Sequence, residues 1–157
     1  MVLHSALTGA DLHEPKGIAT ATSGQEYVAD GAASGAWTTV YNRNLGTMNT
    51  YWPDVTTADP LYIVFPFACT INTITTVLGD GALATADEVI TVTRNGVDSL
   101  GTITITQAGS AEGDIDVLSP VANNTLTANQ YLRFSNSGAS TGTRSCAVTV
   151  EYTRTSA

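Results

Sequence analysis

The stretch Val89-Ile90-Thr91-Val92-Thr93-Arg94-Asn95-Gly96-Val97 carries the clearest structural signal in the chain. Apolar and hydroxyl side chains alternate with period two, and successive side chains of a β-strand point to opposite faces. Ile90 and Val92 are therefore expected to point into a core, with Thr91 and Thr93 facing out. Asn95-Gly96 then supplies two residues that accept positive φ, the requirement of a type I′ hairpin turn. The same alternation extends in both directions. Downstream, Ile103 and Ile105 alternate with Thr102, Thr104 and Thr106; Ile115 and Val117 with Asp114 and Asp116; Leu132 and Phe134 with Arg133 and Ser135. The last run sets Cys146, Val148, Val150 and Tyr152 against Ala147, Thr149, Glu151 and Thr153. Upstream, Leu61, Ile63, Phe65 and Phe67 share one face, and Pro66 marks an edge strand or a bulge. Between Cys69 and Leu78 the alternation changes phase from Ile71 to Ile74, which predicts a β-bulge, and Gly79-Asp80-Gly81 ends the strand.

Strands at this spacing, with no more than one helical turn at Thr85-Ala86-Asp87-Glu88, predict an all-β fold: an antiparallel β-sandwich or a barrel. A jelly roll is preferred over an immunoglobulin-type sandwich, whose Cys…Trp…Cys spacing is missing. The composition agrees. Charged residues make up 13% of the 157, and Thr is abundant, a residue suited to a pleated, half-buried surface.

The net charge of −8, with no Lys/Arg cluster, argues against nucleic-acid binding, which depends on cations that displace phosphate counterions. Residues 1–7 have neither a basic region nor a long apolar stretch, so no membrane segment is expected, and synthesis in a cytoplasm is. Cys69 and Cys146 then read as reduced, buried small hydrophobes.

The text of the chain changes near residue 37. Residues 1–36 carry isolated apolar marks but no sustained hydrophobic period, so they are expected to form an extended arm without a core of its own. Thirty such residues reach on the order of 100 Å. Residues 37–157 are expected to form the β-domain.

Catalytic chemistry finds little support. Both histidines, His4 and His13, lie in the arm, which leaves the β-domain without an imidazole base. No nucleophile elbow or phosphate-binding loop is present, and no enzyme activity, cofactor or metal is expected. Glu112, Asp114 and Asp116 alternate, as would an acid/base pair or a hard-cation site, but the solvent face of a strand is the simpler account; the same holds for Asp87-Glu88. His4, His13 and Glu14 lack metal-ligand spacing. Trp37, Tyr41, Tyr51 and Trp52 group where arm meets domain. They are expected either to staple the arm to the sandwich rim or to anchor a subunit or capsid interface.

The segment Leu7-Thr8-Gly9-Ala10-Asp11-Leu12-His13-Glu14-Pro15-Lys16-Gly17, followed by Gly24-Gln25-Glu26-Tyr27-Val28-Ala29-Asp30-Gly31 and Gly35-Ala36-Trp37, resembles the N-terminal segments of accessory virion proteins of tailed phages. These are head decoration (cement), head-fibre and related proteins. The resemblance covers about the first quarter of the chain. It implies an arm that docks on the major capsid protein or another virion protein, and a compact domain that projects outward, usually as a homotrimer. Leu3, Leu7, Leu12, His13, Glu14, Pro15 and Lys16 become the expected capsid-binding residues, Pro15 biasing His13-Glu14 toward extended backbone. Capsid decoration is thus the expected function. A host-binding adhesin or tail-fibre tip recognising a glycan or protein is the alternative, and a polysaccharide-degrading enzyme ranks behind both.

Overall fold

The structure, a computed structural model, describes residues 25–29, 35–39 and 44–155. The chain divides into two compact units, residues 1–43 and 44–157. In the first, β1 (Gln25–Ala29) pairs antiparallel with β2 (Gly35–Thr39), with Tyr27 opposite Trp37. The sequence pattern had marked no strand here. Five-residue strands are too short to display a period, and their large apolar marks, Tyr27-Val28 and Trp37, are isolated.

The second unit contains β3 (Leu45–Trp52), β4 (Leu61–Phe65), β5 (Cys69–Leu78), β6 (Glu88–Arg94), β7 (Asp98–Ile105), β8 (Ile115–Leu118), β9 (Thr125–Leu126), β10 (Gln130–Asn136) and β11 (Cys146–Arg154). One sheet runs β3-β11-β5-β8, with β9 also on β5; the other runs β4-β10-β6-β7. The pairing is nested: β3 with β11, β4 with β10, β5 with β8, β6 with β7, all antiparallel. That is a long hairpin rolled into two facing sheets, the jelly roll.

The local signals account for this topology. At the β6–β7 turn, Asn95 and Gly96 take φ of 50° and 74°, and Val97 N–H donates to the Arg94 carbonyl at 3.1 Å. The phase change in β5 is a bulge: Glu151 pairs with Thr73 and Tyr152 with Ile71, so Asn72 is skipped and both Ile71 and Ile74 face inward. Pro66 follows β4, an edge strand, where a missing N–H costs the sheet nothing. Between the sheets lie Phe65, Ile71, Ile74, Ile90, Val92, Ile105, Leu132, Phe134, Val148 and Val150, all buried. Each contributes roughly 1.5–3 kcal/mol of apolar transfer free energy when fully buried.

Close packing explains one glycine. The Tyr152 ring, edge-on to Phe65 and tilted on Phe67, lies directly against Gly46, where a Cβ would overlap it. Arg154 completes the group, its guanidinium 3.8 Å from the Phe67 ring centre. Cys69 and Cys146 are buried and free at opposite ends of the β5–β11 pair, too far apart to bridge. Burial raises both thiols to about 11.

Two expectations need correction. The carboxylates 112, 114 and 116 do not form the solvent face of a strand. Only residues 115–118 are strand, and there Ile115 and Val117 face solvent while Asp116 and Leu118 turn toward the core. Register imposes this. Val77 and Thr75 of β5 are outward, so their partners Ile115 and Val117 are too, whereas Leu118 packs on Gly101. Glu88, also assigned to a solvent face, is completely buried. Its carboxylate is held by the loop that follows β10, through donors 49–52 residues away.

Candidate interaction surface

The outward residues of the β3-β11-β5-β8 sheet line up by strand register. Tyr51 lies opposite Ala147, Ala147 opposite Val77, and Val77 opposite Ile115. With strands about 4.8 Å apart, this apolar row runs roughly 14 Å across the sheet. Tyr51 is 61% exposed and Ile115 64%. The next row is Asn49, Thr149, Thr75 and Val117, of which Val117 is also exposed. Among the paired strand positions of this face, the one charged side chain is Glu151, which accepts a hydrogen bond from Thr73 Oγ1 at 3.1 Å. Beyond it, a shallow hollow of about 310 Å³ is lined by Leu45, Gly46, Thr47, Asn72 and Glu151. The surface is chemically suited to bury against another apolar surface, with threonine hydroxyls around the contact.

The sequence-predicted residues are distributed unevenly over it. Tyr51 belongs to the row. Trp52, its neighbour in β3, points the other way and is 3% exposed, a core residue with no surface to offer a partner. Trp37 lies in β2 of the first unit. Leu3, Leu7, Leu12, His13, Glu14, Pro15, Lys16 and Tyr41 lie outside the described residues. The exposure of Ile115 and Val117 is not legible in the sequence, because alternation alone does not say which of two faces is buried.

Among the described residues no three His, Cys, Asp or Glu side chains converge on a point that would hold a metal ion. Asp114 caps its own turn, accepting from Ala111 N–H at 2.7 Å. Asp116 borders a hollow of about 180 Å³ with Ile105, Ser110 and Asp114. Partial burial, and then the charge of Asp114, raise its pKa from its ordinary value. Asp54 is the opposite case. Thr56 and Thr57 hydroxyls and the Thr56 N–H donate to its carboxylate, and these bonds lower it to about 2. It organises the loop after β3.

A second feature occupies the outer face of the other sheet. Arg133 of β10 stands between Tyr62 of β4 and Thr93 of β6, with Tyr131 two residues earlier on the same face. The Tyr62 and Tyr131 rings meet edge to face, their centroids 5.7 Å apart. The alternation of Leu132 and Phe134 with Arg133 puts Arg133 on the face opposite those two core residues; its surroundings have no sequence signal.

No protein-family model matches the sequence, and no curated protein matches it. Among solved structures, the chain is similar to one described as the cyanophage Pam1 capsid asymmetric unit. The identity is 15%, covering 96% of this chain and 99% of that one, with a TM-score of 0.48. It is also similar to the carbohydrate-binding module CBM36 in complex with calcium and xylotriose, at 15% identity over 69% and 87% of the two chains and a TM-score of 0.42. A family 6 carbohydrate-binding module follows at 11% identity, 85% of each chain and a TM-score of 0.37. Likenesses at this level concern the sandwich alone, and the fold assignment rests on the strand pairing itself.

Proposed function

We propose that this chain is a virion structural protein of a tailed phage: a non-enzymatic head decoration protein that attaches to the capsid through residues 1–36. In this reading the jelly roll projects outward and three copies associate through the outer face of the β3-β11-β5-β8 sheet. The observation that carries it is the register-aligned row Tyr51–Ala147–Val77–Ile115, an uncharged apolar strip on a chain of net charge −8. Free copies of so acidic a chain repel one another, so a stable contact needs a face that brings few carboxylates together. Support also comes from the N-terminal segment that resembles accessory virion proteins, set in a unit separate from the sandwich. An arm that orders on binding gains wide contact at an entropic cost, and three linked arms offset that cost through effective concentration.

Light scattering of the purified full chain, with a companion Ile115→Asp variant, tests the assembly. The expected mass is three times the 16.3 kDa of one chain, falling to one chain in the variant while the circular dichroism is unchanged. A wild-type mass of one chain, or a variant that assembles as well as wild type, contradicts this use of the face. The aromatic–arginine cluster on the other sheet favours a second reading, a host-binding adhesin or tail-fibre tip.

A further inference from the structure

We propose that the outer face of the β4-β10-β6-β7 sheet carries a binding site for a carboxylate-bearing saccharide, centred on Arg133 between Tyr62 and Tyr131. The site does not depend on the capsid reading, since a surface of this kind serves the chain at any position on a particle.

The geometry converges on one small area. Arg133 is directly opposite Tyr62, a residue 53% exposed. A Cβ placed on Gly96 would sit 3.5 Å from the Tyr131 hydroxyl oxygen and 3.8 Å from Arg133 Cδ. The phenol hydroxyl and the outer part of the arginine chain therefore meet above the β6–β7 turn, in space that glycine leaves open. Asn95 of that turn fixes the base of the cluster by accepting the Tyr131 N–H at 3.3 Å.

Charge selects the ligand. The other arginines of the sandwich are engaged. Arg94 pairs with Asp98 at 2.7 Å and donates to the Thr125 carbonyl, Arg144 donates to the Ala82 and Thr143 carbonyls, and Arg154 lies on Phe67. Arg133 has no carboxylate or carbonyl acceptor among the described residues, and its Nε is buried without a partner. A guanidinium that has lost part of its hydration without gaining an acceptor is raised in free energy until an anion arrives. Its planar fork matches a carboxylate in bidentate fashion.

The surroundings favour a sugar acid over an acidic peptide. β10 lies between β4 and β6, so its backbone N–H and C=O groups are committed to the sheet and leave no edge at Arg133 for an added strand. Recognition must run through side chains. Tyr62 offers an exposed ring to sugar C–H groups, while Thr91 and Ser135, opposite each other one step along the same face, offer hydroxyls. One cation, one platform and a pair of hydroxyls within a few residues suit a rigid ring carrying a single carboxylate.

The test is an NMR titration of the ¹⁵N-labelled full chain with trigalacturonate, 3′-sialyllactose, the methyl ester of trigalacturonate and a hexaglutamate peptide. The expected result is a saturable shift at Tyr62, Tyr131 and Arg133 Nε with at least one acidic saccharide. Binding should be at least tenfold weaker for the ester and the peptide, and lost in Arg133→Gln, whose backbone spectrum otherwise matches wild type. Tyr62→Ala should weaken binding without abolishing it. No shift with either acidic saccharide at millimolar concentration, equal binding of the ester, equal binding of the peptide, or undiminished binding by Arg133→Gln would each overturn the proposal.

Discussion

The Glu88 carboxylate accepts the backbone N–H of Ser140 at 3.1 Å, across 52 residues of sequence, in a site with no solvent exposure for Glu88. Ala139 N–H shares the same oxygen at 3.1 Å, and Gly138 N–H and the Ser137 hydroxyl donate to the other at 2.7 Å. Four donors take the place of hydration around this buried carboxylate. Glu88→Gln turns an amide N–H₂ toward these donors and is expected to cost about 2 kcal/mol, with Glu88→Ala costing more. Urea denaturation reads both, as a lowered midpoint at unchanged slope. An unchanged midpoint for Glu88→Gln contradicts the clamp.

Asp54 gives the fold an acid-sensitive loop. Its pKa is depressed from 3.8 to about 2 by hydrogen bonds from Thr56 and Thr57. A depressed carboxylate contributes stability in full above its unfolded value and loses it as pH falls through the folded one. Melting temperatures measured from pH 5 down to pH 2 should decline less steeply in Asp54→Asn than in wild type. Parallel declines would assign the acid sensitivity elsewhere.

Asp116 has the opposite sign. Partial burial and Asp114 raise its pKa, so the ionised form opposes folding. That penalty is fully present above the raised value and relieved as pH falls through it. Asp116→Asn is expected to raise the melting temperature at pH 7, with the gain shrinking toward pH 3. A lowered melting temperature at pH 7 would mean that the carboxylate makes a stabilising contact.

Gly46 is required by the Tyr152 ring lying against it. Gly46→Val should destabilise by roughly 1–3 kcal/mol through overpacking, and the double variant with Tyr152→Ala should cost less than the two single changes added together. Strict additivity in denaturation experiments would remove this contact as the reason for glycine.

The sandwich was legible where two local signals agreed. Asn95-Gly96 follows an alternating strand, and the slip from Ile71 to Ile74 has one geometric remedy, the bulge at Asn72. Other features depend on partners distant in sequence. Ile115 and Val117 look like core residues until pairing with Thr75 and Val77 turns them outward. Glu88 looks solvent-exposed until a loop some fifty residues later supplies its donors. Tyr51 and Trp52 form one aromatic cluster in sequence, yet adjacent residues of a strand take opposite faces, which leaves Tyr51 exposed on the outer face of the sheet and Trp52 in the core. That Arg133 faces outward follows from alternation; that its Nε has no partner among the described residues is visible only in three dimensions.

The proposed position on a phage head can be seen in a cryo-EM map of the native particle. Jelly-roll density is expected in threefold groups spread over the head surface, with residues 1–36 running along the capsid beneath and Ile115 and Tyr51 within the contacts between copies. Density confined to a tail-fibre tip, or particles that lack the protein altogether, would contradict it.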